Sequence, residues 1–186
     1  MKKIIIFLAV LLLVVSVNAA THRVIILGWS THSNNSDVFP EPSSIKFTND
    51  IAPHLVWIFN DTATRDSLSF KFTIPQNYVG TGQFVIAWTS TATSGDVEWD
   101  IDYRAVGGND TESMDQATFQ EQLTANNDTA PSAALERMIF TITATDGNFA
   151  AGDIVMGQLY RDGTDAGDTI AAAIILLELY FEYNDV

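Results

Sequence analysis

Between Ser67 and Ile74 the chain alternates strictly: Leu68, Phe70, Phe72 and Ile74 fall on one face, and Ser69, Lys71 and Thr73 on the other. A period of two belongs to a strand with one buried face, whereas a helix needs a period near 3.6. Strand-like runs of β-branched and aromatic residues recur from Arg23 to Trp29, Gln83 to Ser90, Val97 to Val106, Met138 to Ala144, Ile154 to Arg161 and Ala171 to Tyr183. Clusters of Pro, Gly, Asn and Asp divide them, and a further strand is expected around Ile45 to Phe47 or Leu55 to Phe59. Without βαβ periodicity, strands of this number must bury their apolar faces between two packed antiparallel sheets. The expected fold is therefore all-β: a two-sheet antiparallel β-sandwich, jelly-roll-like, of about eight strands. A minimal immunoglobulin domain of about 100 residues is too short for this chain, and the cysteine pair of that fold is absent. Ala117 to Leu123 is the one candidate helical turn, inside a polar stretch from Gly107 to Ser132 that reads as a surface excursion. In the last strand, Ile175, Leu177, Leu179, Phe181 and Tyr183 form one apolar face, and Leu176, Glu178, Tyr180 and Glu182 a mixed one.

The first nineteen residues stand apart from the fold. Lys2 and Lys3 precede an unbroken apolar run from Ile4 to Val15, and Val17-Asn18-Ala19 offers the small residues that signal peptidase requires. Twelve apolar residues span about 18 Å as a helix, short of the roughly 30 Å of a bilayer core. The reading is a signal peptide over 1–19 and a single β-sandwich domain over 20–186, secreted and free of the membrane after cleavage. Acidic residues outnumber basic ones by 23 to 9, and loss of both leader lysines takes the net charge from −14 to −16. Such a chain repels phosphate backbones and anionic bilayers, which excludes nucleic acid as a partner. With no cysteine, thiol catalysis, disulfides and Cys-ligated metals are excluded as well.

Three carboxylates, Glu98, Asp100 and Asp102, lie on one face of a predicted strand, opposite Val97, Trp99, Ile101 and Tyr103. The pattern is similar to the Glu-x-Asp-x-Glu signature of jelly-roll glycoside hydrolases of the laminarinase type, with Asp102 one methylene short of the family's last Glu. Retaining hydrolysis needs two carboxyls about 5–5.5 Å apart, yet residues i and i+4 of a strand are about 13 Å apart at Cα. A solvent-facing charged strand is the simpler expectation. Asp162, Asp165 and Asp168 could ligate Ca²⁺, but Asx turns use the same residues. The histidines His22, His32 and His54 lack zinc-site spacing, and no Gly-x-Ser-x-Gly elbow, Walker loop or Rossmann fingerprint occurs. Sequons begin at Asn34, Asn60, Asn109 and Asn127 and read equally as turns. Trp29, Trp57, Trp88 and Trp99 could stack on a pyranose, with Trp88, Trp99, Glu98, Asp100 and Asp102 as the candidate glycan site, although three of the four sit in strand-like runs, where the core is the better explanation.

The succession from Phe70-Lys71-Phe72-Thr73-Ile74-Pro75 through Tyr78, Gly80, Gly82, Trp88 and Gly95-Asp96-Val97-Glu98-Trp99 continues with Tyr103-Arg104, Ala151-Gly152-Asp153 and Tyr160-Arg161-Asp162-Gly163-Thr164-Asp165, then Asp168-Thr169. It resembles a β-sandwich module of phage, virus-like and environmental proteins, some associated with virion surfaces or fibres. The resemblance covers Ser67 to Tyr183 and implies a non-enzymatic assembly or attachment module, whereas the leader favours a secreted or cell-surface protein. The expected function is a non-catalytic structural or attachment module, with carbohydrate binding as the alternative and hydrolysis through Glu98 and Asp102 behind both. The apolar last strand, ending beside the chain terminus, predicts a homo-oligomer such as a trimer.

Overall fold

A computed structural model describes residues 20–26, 28–29, 40–108 and 112–185. These residues form eleven strands: β1 (Thr21–Ile26), β2 (Gly28–Trp29), β3 (Glu41–Ile45), β4 (His54–Phe59), β5 (Arg65–Thr73), β6 (Gln83–Ser90), β7 (Asp96–Val106), β8 (Glu121–Thr129), β9 (Met138–Thr143), β10 (Ile154–Asp162) and β11 (Ile174–Asn184). One sheet runs β3-β4-β11-β6-β9, with β1 also paired to β11; the other runs β2-β5-β10-β7-β8, and every pairing is antiparallel. From β4 to β11 the chain crosses between sheets at nearly every step, giving β4-β11-β6-β9 over β5-β10-β7-β8. This is the eight-stranded jelly-roll winding that the alternation predicted. Among the described residues no helix is long and apolar enough to cross a membrane.

The inward phases of the strands meet in one core. Leu68, Phe70 and Phe72 of β5 and Trp99, Ile101 and Tyr103 of β7 face Phe84, Ile86 and Trp88 of β6 and Leu176, Leu179 and Phe181 of β11. Phe181 and Phe84 lie 5.5 Å apart at their centroids, and Trp88 and Trp99 pack edge to face at 6.4 Å. Gly157 in β10 stands opposite Phe70, whose ring occupies the place a Cβ would take, 2.5 Å away. A side chain there would force the two strands apart.

Two expectations need correction. Ala117 to Leu123 forms no helical turn, and Glu121–Thr129, read as part of a surface excursion, is an edge strand paired with β7. Its sequence, EQLTANNDT, carries one large apolar residue, so its periodicity is silent; the open edge of β7 supplies the ladder. In β11 the face assignment changes midway, because a bulge between Leu176 and Glu178 shifts the register against β6. One extra residue reverses the alternation. Ile174, Leu176, Leu179, Phe181 and Tyr183 therefore point inward, and Ile175 and Tyr180 outward.

Candidate functional site

Because Leu68, Phe70 and Phe72 fill the core, Ser67, Ser69 and Lys71 of β5 must project from the opposite face of the sheet. The same parity turns Met156, Gln158 and Tyr160 of β10 outward, and Glu98, Asp100, Asp102 and Arg104 of β7. Antiparallel register arranges these side chains in rows: Lys71, Met156 and Arg104; Ser69, Gln158, Asp102 and then Gln122 of β8; Ser67, Tyr160 and Asp100. Neighbours in a row are about 4.8 Å apart at Cα and rows about 6.7 Å apart. The face thus passes from a cationic end to an acidic end.

The acidic end is closed. The Arg65 guanidinium pairs with Asp100, reaches Asp162 at 3.1 Å and lies 3.9 Å from the Tyr160 ring centroid. Beyond it, the turn after β10 folds over Glu98: the Glu98 N–H donates to Asp168 Oδ2 at 3.2 Å. A Cβ on Gly167 would stand 3.1 Å from Glu98 Oε2 and 2.2 Å from Asn127 Nδ2, so a larger residue there would have to displace the Asn127 side chain. Glu98 is 1% exposed, and no side chain among the described residues hydrogen-bonds its carboxylate oxygens. Burial first, then the charges of Asp100, Asp165 and Asp162, push its carboxyl up to about 7. Asp102, also buried, accepts a bond from Gln122 Nε2 at 3.3 Å, and burial raises its carboxyl too.

The three acids do share one strand face, as the sequence implied, but that face is not solvated at this end. Glu98 and Asp102 are separated by the Asp100–Arg65 pair and roofed over, an arrangement unlike two carboxyls flanking a bound sugar. Trp88 and Trp99 require a plainer correction: both are fully buried between the sheets. Trp88 Nε1 donates to Asp128 at 2.8 Å, and Trp99 packs edge to face on Phe59. Neither ring can meet a ligand. The aspartates of the Asp-rich turn have separate tasks. Asp162 accepts from the Thr164 N–H and Asp165 from the Gly167 N–H, as in Asx turns, while Asp168 pairs with the buried Arg161. Among the described residues no group of three acidic or histidine side chains converges on a metal position. Of the other sequence candidates, His22 pairs with Asp185 and His54 with Asp50, whereas His32, Asn34 and Asn109 lie outside the described residues.

The cationic end is open. Residues 112–120, between β7 and β8, rise beside it and make a groove of about 370 Å³, lined by Ser69, Lys71, Arg104, Met156, Gln158 and the 38%-exposed Phe119. Arg104 Nε donates to the Thr118 carbonyl at 3.2 Å, which fixes the guanidinium at the rim. The Tyr160 hydroxyl is in hydrogen-bond contact with Gln158 Oε1, which holds the Gln158 amide beside the groove. Ser69, Lys71 and Gln116 make no side-chain hydrogen bond among the described residues. A larger groove, about 570 Å³, opens where β4 and β1 share the edge of β11, but its lining is mainly Ile25, Leu55, Val56, Trp57, Leu176 and Leu177. Sequence reasoning missed Lys71, Arg104, Gln158 and Phe119. The available signal was that two of only nine basic residues fall in the outward phase of predicted strands.

No protein-family model matches the chain, and no curated protein matches it in sequence. Among solved structures it is similar to a family 35 carbohydrate-binding module from Clostridium thermocellum, at 8% identity and a TM-score of 0.42, covering 87% of this chain and 90% of that one. It is similar also to the CBM36-1 domain of a multidomain xylanase from the hindgut metagenome of Trinervitermes trinervoides, at 12% identity and a TM-score of 0.40 over 88% and 96% of the two chains. A third is the enzymatically active domain of tailspike protein 4 from bacteriophage CBA120, at 10% identity and a TM-score of 0.37; the alignment covers 86% of this chain and 19% of that one.

Proposed function

We propose that this chain is a secreted, non-catalytic attachment module that holds a saccharide in the groove between residues 112–120 and the outer face of β5, β10 and β7. The observation that carries this reading is the composition of the groove: polar groups from Ser69, Gln158 and Arg104 stand beside an exposed aromatic ring, Phe119. Hydroxyls of a pyranose need donors and acceptors at set spacing, and its apolar face needs a ring to rest on. Rigid strands supply the first and the excursion the second. The buried acids have no path to a glycosidic bond, so binding without turnover is the reading they support. Screening the protein against a panel of immobilised glycans tests it. Specific binding, weakened about tenfold by Phe119→Ala and by Gln158→Ala without loss of the folded state, is the expected result. Hydrolysis of a polysaccharide that Glu98→Gln abolishes would overturn it.

A second reading, self-association, is favoured by the opposite side of the molecule. On the outer face of the β1-β11-β6-β9 sheet, Ile25 and Ile139 are 66% and 46% exposed. A net charge of −16 after leader removal would oppose contact between copies, so association should strengthen with ionic strength. Light scattering at low and high salt reads this directly: a monomer under both conditions removes the oligomer, and an assembly lost on Ile25→Glu supports it.

A further inference from the structure

We infer that the groove takes an acidic saccharide, with the carboxylate of a uronic acid residue held between Lys71 and Arg104. The inference rests on the saccharide-binding reading and deepens it. Lys71 and Arg104 both stand opposite Met156, on the strands to either side of β10, and so are about 9.6 Å apart at Cα across the groove floor. Two long side chains at that distance converge on one small anion above Met156. Neither cation has a carboxylate within ion-pair distance among the described residues. That is unexpected in a chain with 23 acidic residues to 9 basic ones. Elsewhere the arginines are engaged by acids: Arg23 by Glu182, Arg65 by Asp100 and Asp162, Arg137 by Glu178, Arg161 by Asp168.

Arg104 is also oriented. Its Nε is used by the Thr118 carbonyl, and its two terminal nitrogens have no partner among the described residues. A guanidinium presents paired donors that match a planar carboxylate, and Lys71 adds a point charge. Ser69 and Gln158 in the next row can meet the ring hydroxyls, and Phe119 the apolar ring face. The acidity of the rest of the protein sets the charge density of the ligand. Dense polyanions are repelled, whereas a glycan with isolated uronates gains the local pair without the long-range cost.

Titration calorimetry with a uronate-bearing oligosaccharide and its neutral counterpart, in which each carboxylate is reduced to the alcohol, tests the inference. The protein is expected to bind the uronate form about tenfold tighter or more. Lys71→Gln and Arg104→Gln should each remove most of that preference, and Lys46→Gln, away from the groove, should change nothing. Equal affinity for the two oligosaccharides, or a preference that persists in the Lys71→Gln/Arg104→Gln double variant, overturns the uronate inference and leaves saccharide binding standing. No binding of either form overturns both.

Discussion

Arg161 and Asp168 form a two-point ion pair inside the protein: Nε donates to Oδ2 at 2.9 Å and a terminal nitrogen to Oδ1 at 2.8 Å, with the side chains 0% and 1% exposed. The remaining guanidinium donors go to the carbonyls of Ala172, Ile170 and Phe59. The pair ties the end of β10 to the segment that leads into β11 and holds down the turn that roofs Glu98. Asp168→Asn leaves the buried guanidinium with only the longer contact to the half-exposed Asp61, at 3.8 Å, and loss of one partner of such a pair costs about 3–5 kcal/mol. Urea unfolding of the variant should show that loss. A change below about 1 kcal/mol would mean that the pair is solvated in solution.

The buried carboxyl beneath the same turn gives a pH signature. Glu98 in the fold sits at about 7 against an ordinary value of 4.5. The folded state therefore keeps a proton that the unfolded chain has already released, so this residue's contribution to stability falls as pH rises from about 4.5 through about 7 and then levels off. Glu98→Gln removes the effect. The variant should melt higher than the parent at about pH 8 and match it at about pH 4. An equal offset at both pH values, or a lower melting temperature at the alkaline one, contradicts the assignment.

Much of the fold is legible in the sequence because three of its long strands alternate: β5, β7 and β10 each announce a period of two, and their spacing with turn residues yields the sandwich. What is illegible has physical reasons. Strand β8 is too polar to carry a pattern, and the β11 bulge is set by its neighbours β4 and β6. The acid row was readable as a shared face from residue parity alone. Its burial was not, since that depends on Gly167 closing over Glu98 from a distant part of the chain. The facing of Lys71 and Arg104 was hidden for the same reason: it exists only because β10 comes between β5 and β7.

Burial of the tryptophans separates core from site. Trp99→Ala opens a large cavity beside Trp88 and Phe59 and should cost about 3–5 kcal/mol. Where the variant remains folded, its saccharide affinity should equal that of the parent, while Phe119→Ala shows the reverse pattern. Paired chemical unfolding and calorimetry check both. Loss of binding on Trp99→Ala in a folded protein would return the indole to the ligand site.

At the other end of the molecule, Asp185 accepts the Ala20 N–H at 2.8 Å and pairs with His22 at 2.7 Å, contacts that hold its carboxyl below the usual range, the Ala20 bond being the larger cause. Cleavage after Ala19 would place a charged α-amino group at this carboxylate. Protein exported from a Sec-competent host should begin at Ala20 by mass spectrometry, and Asp185→Asn should lower the pKa of that new amino group. Recovery of an intact Met1 chain firmly held in membrane would contradict the secreted reading.

The most direct test of saccharide binding is a residue-resolved NMR titration of the protein with oligosaccharides drawn from the glycan panel. Saturable shifts are expected at Ser69, Lys71, Arg104, Phe119 and Gln158, with Glu98 and the core tryptophans unmoved. Shifts confined to the Ile25 and Leu55 side of the molecule, or no shifts with any saccharide at millimolar concentration, would contradict it.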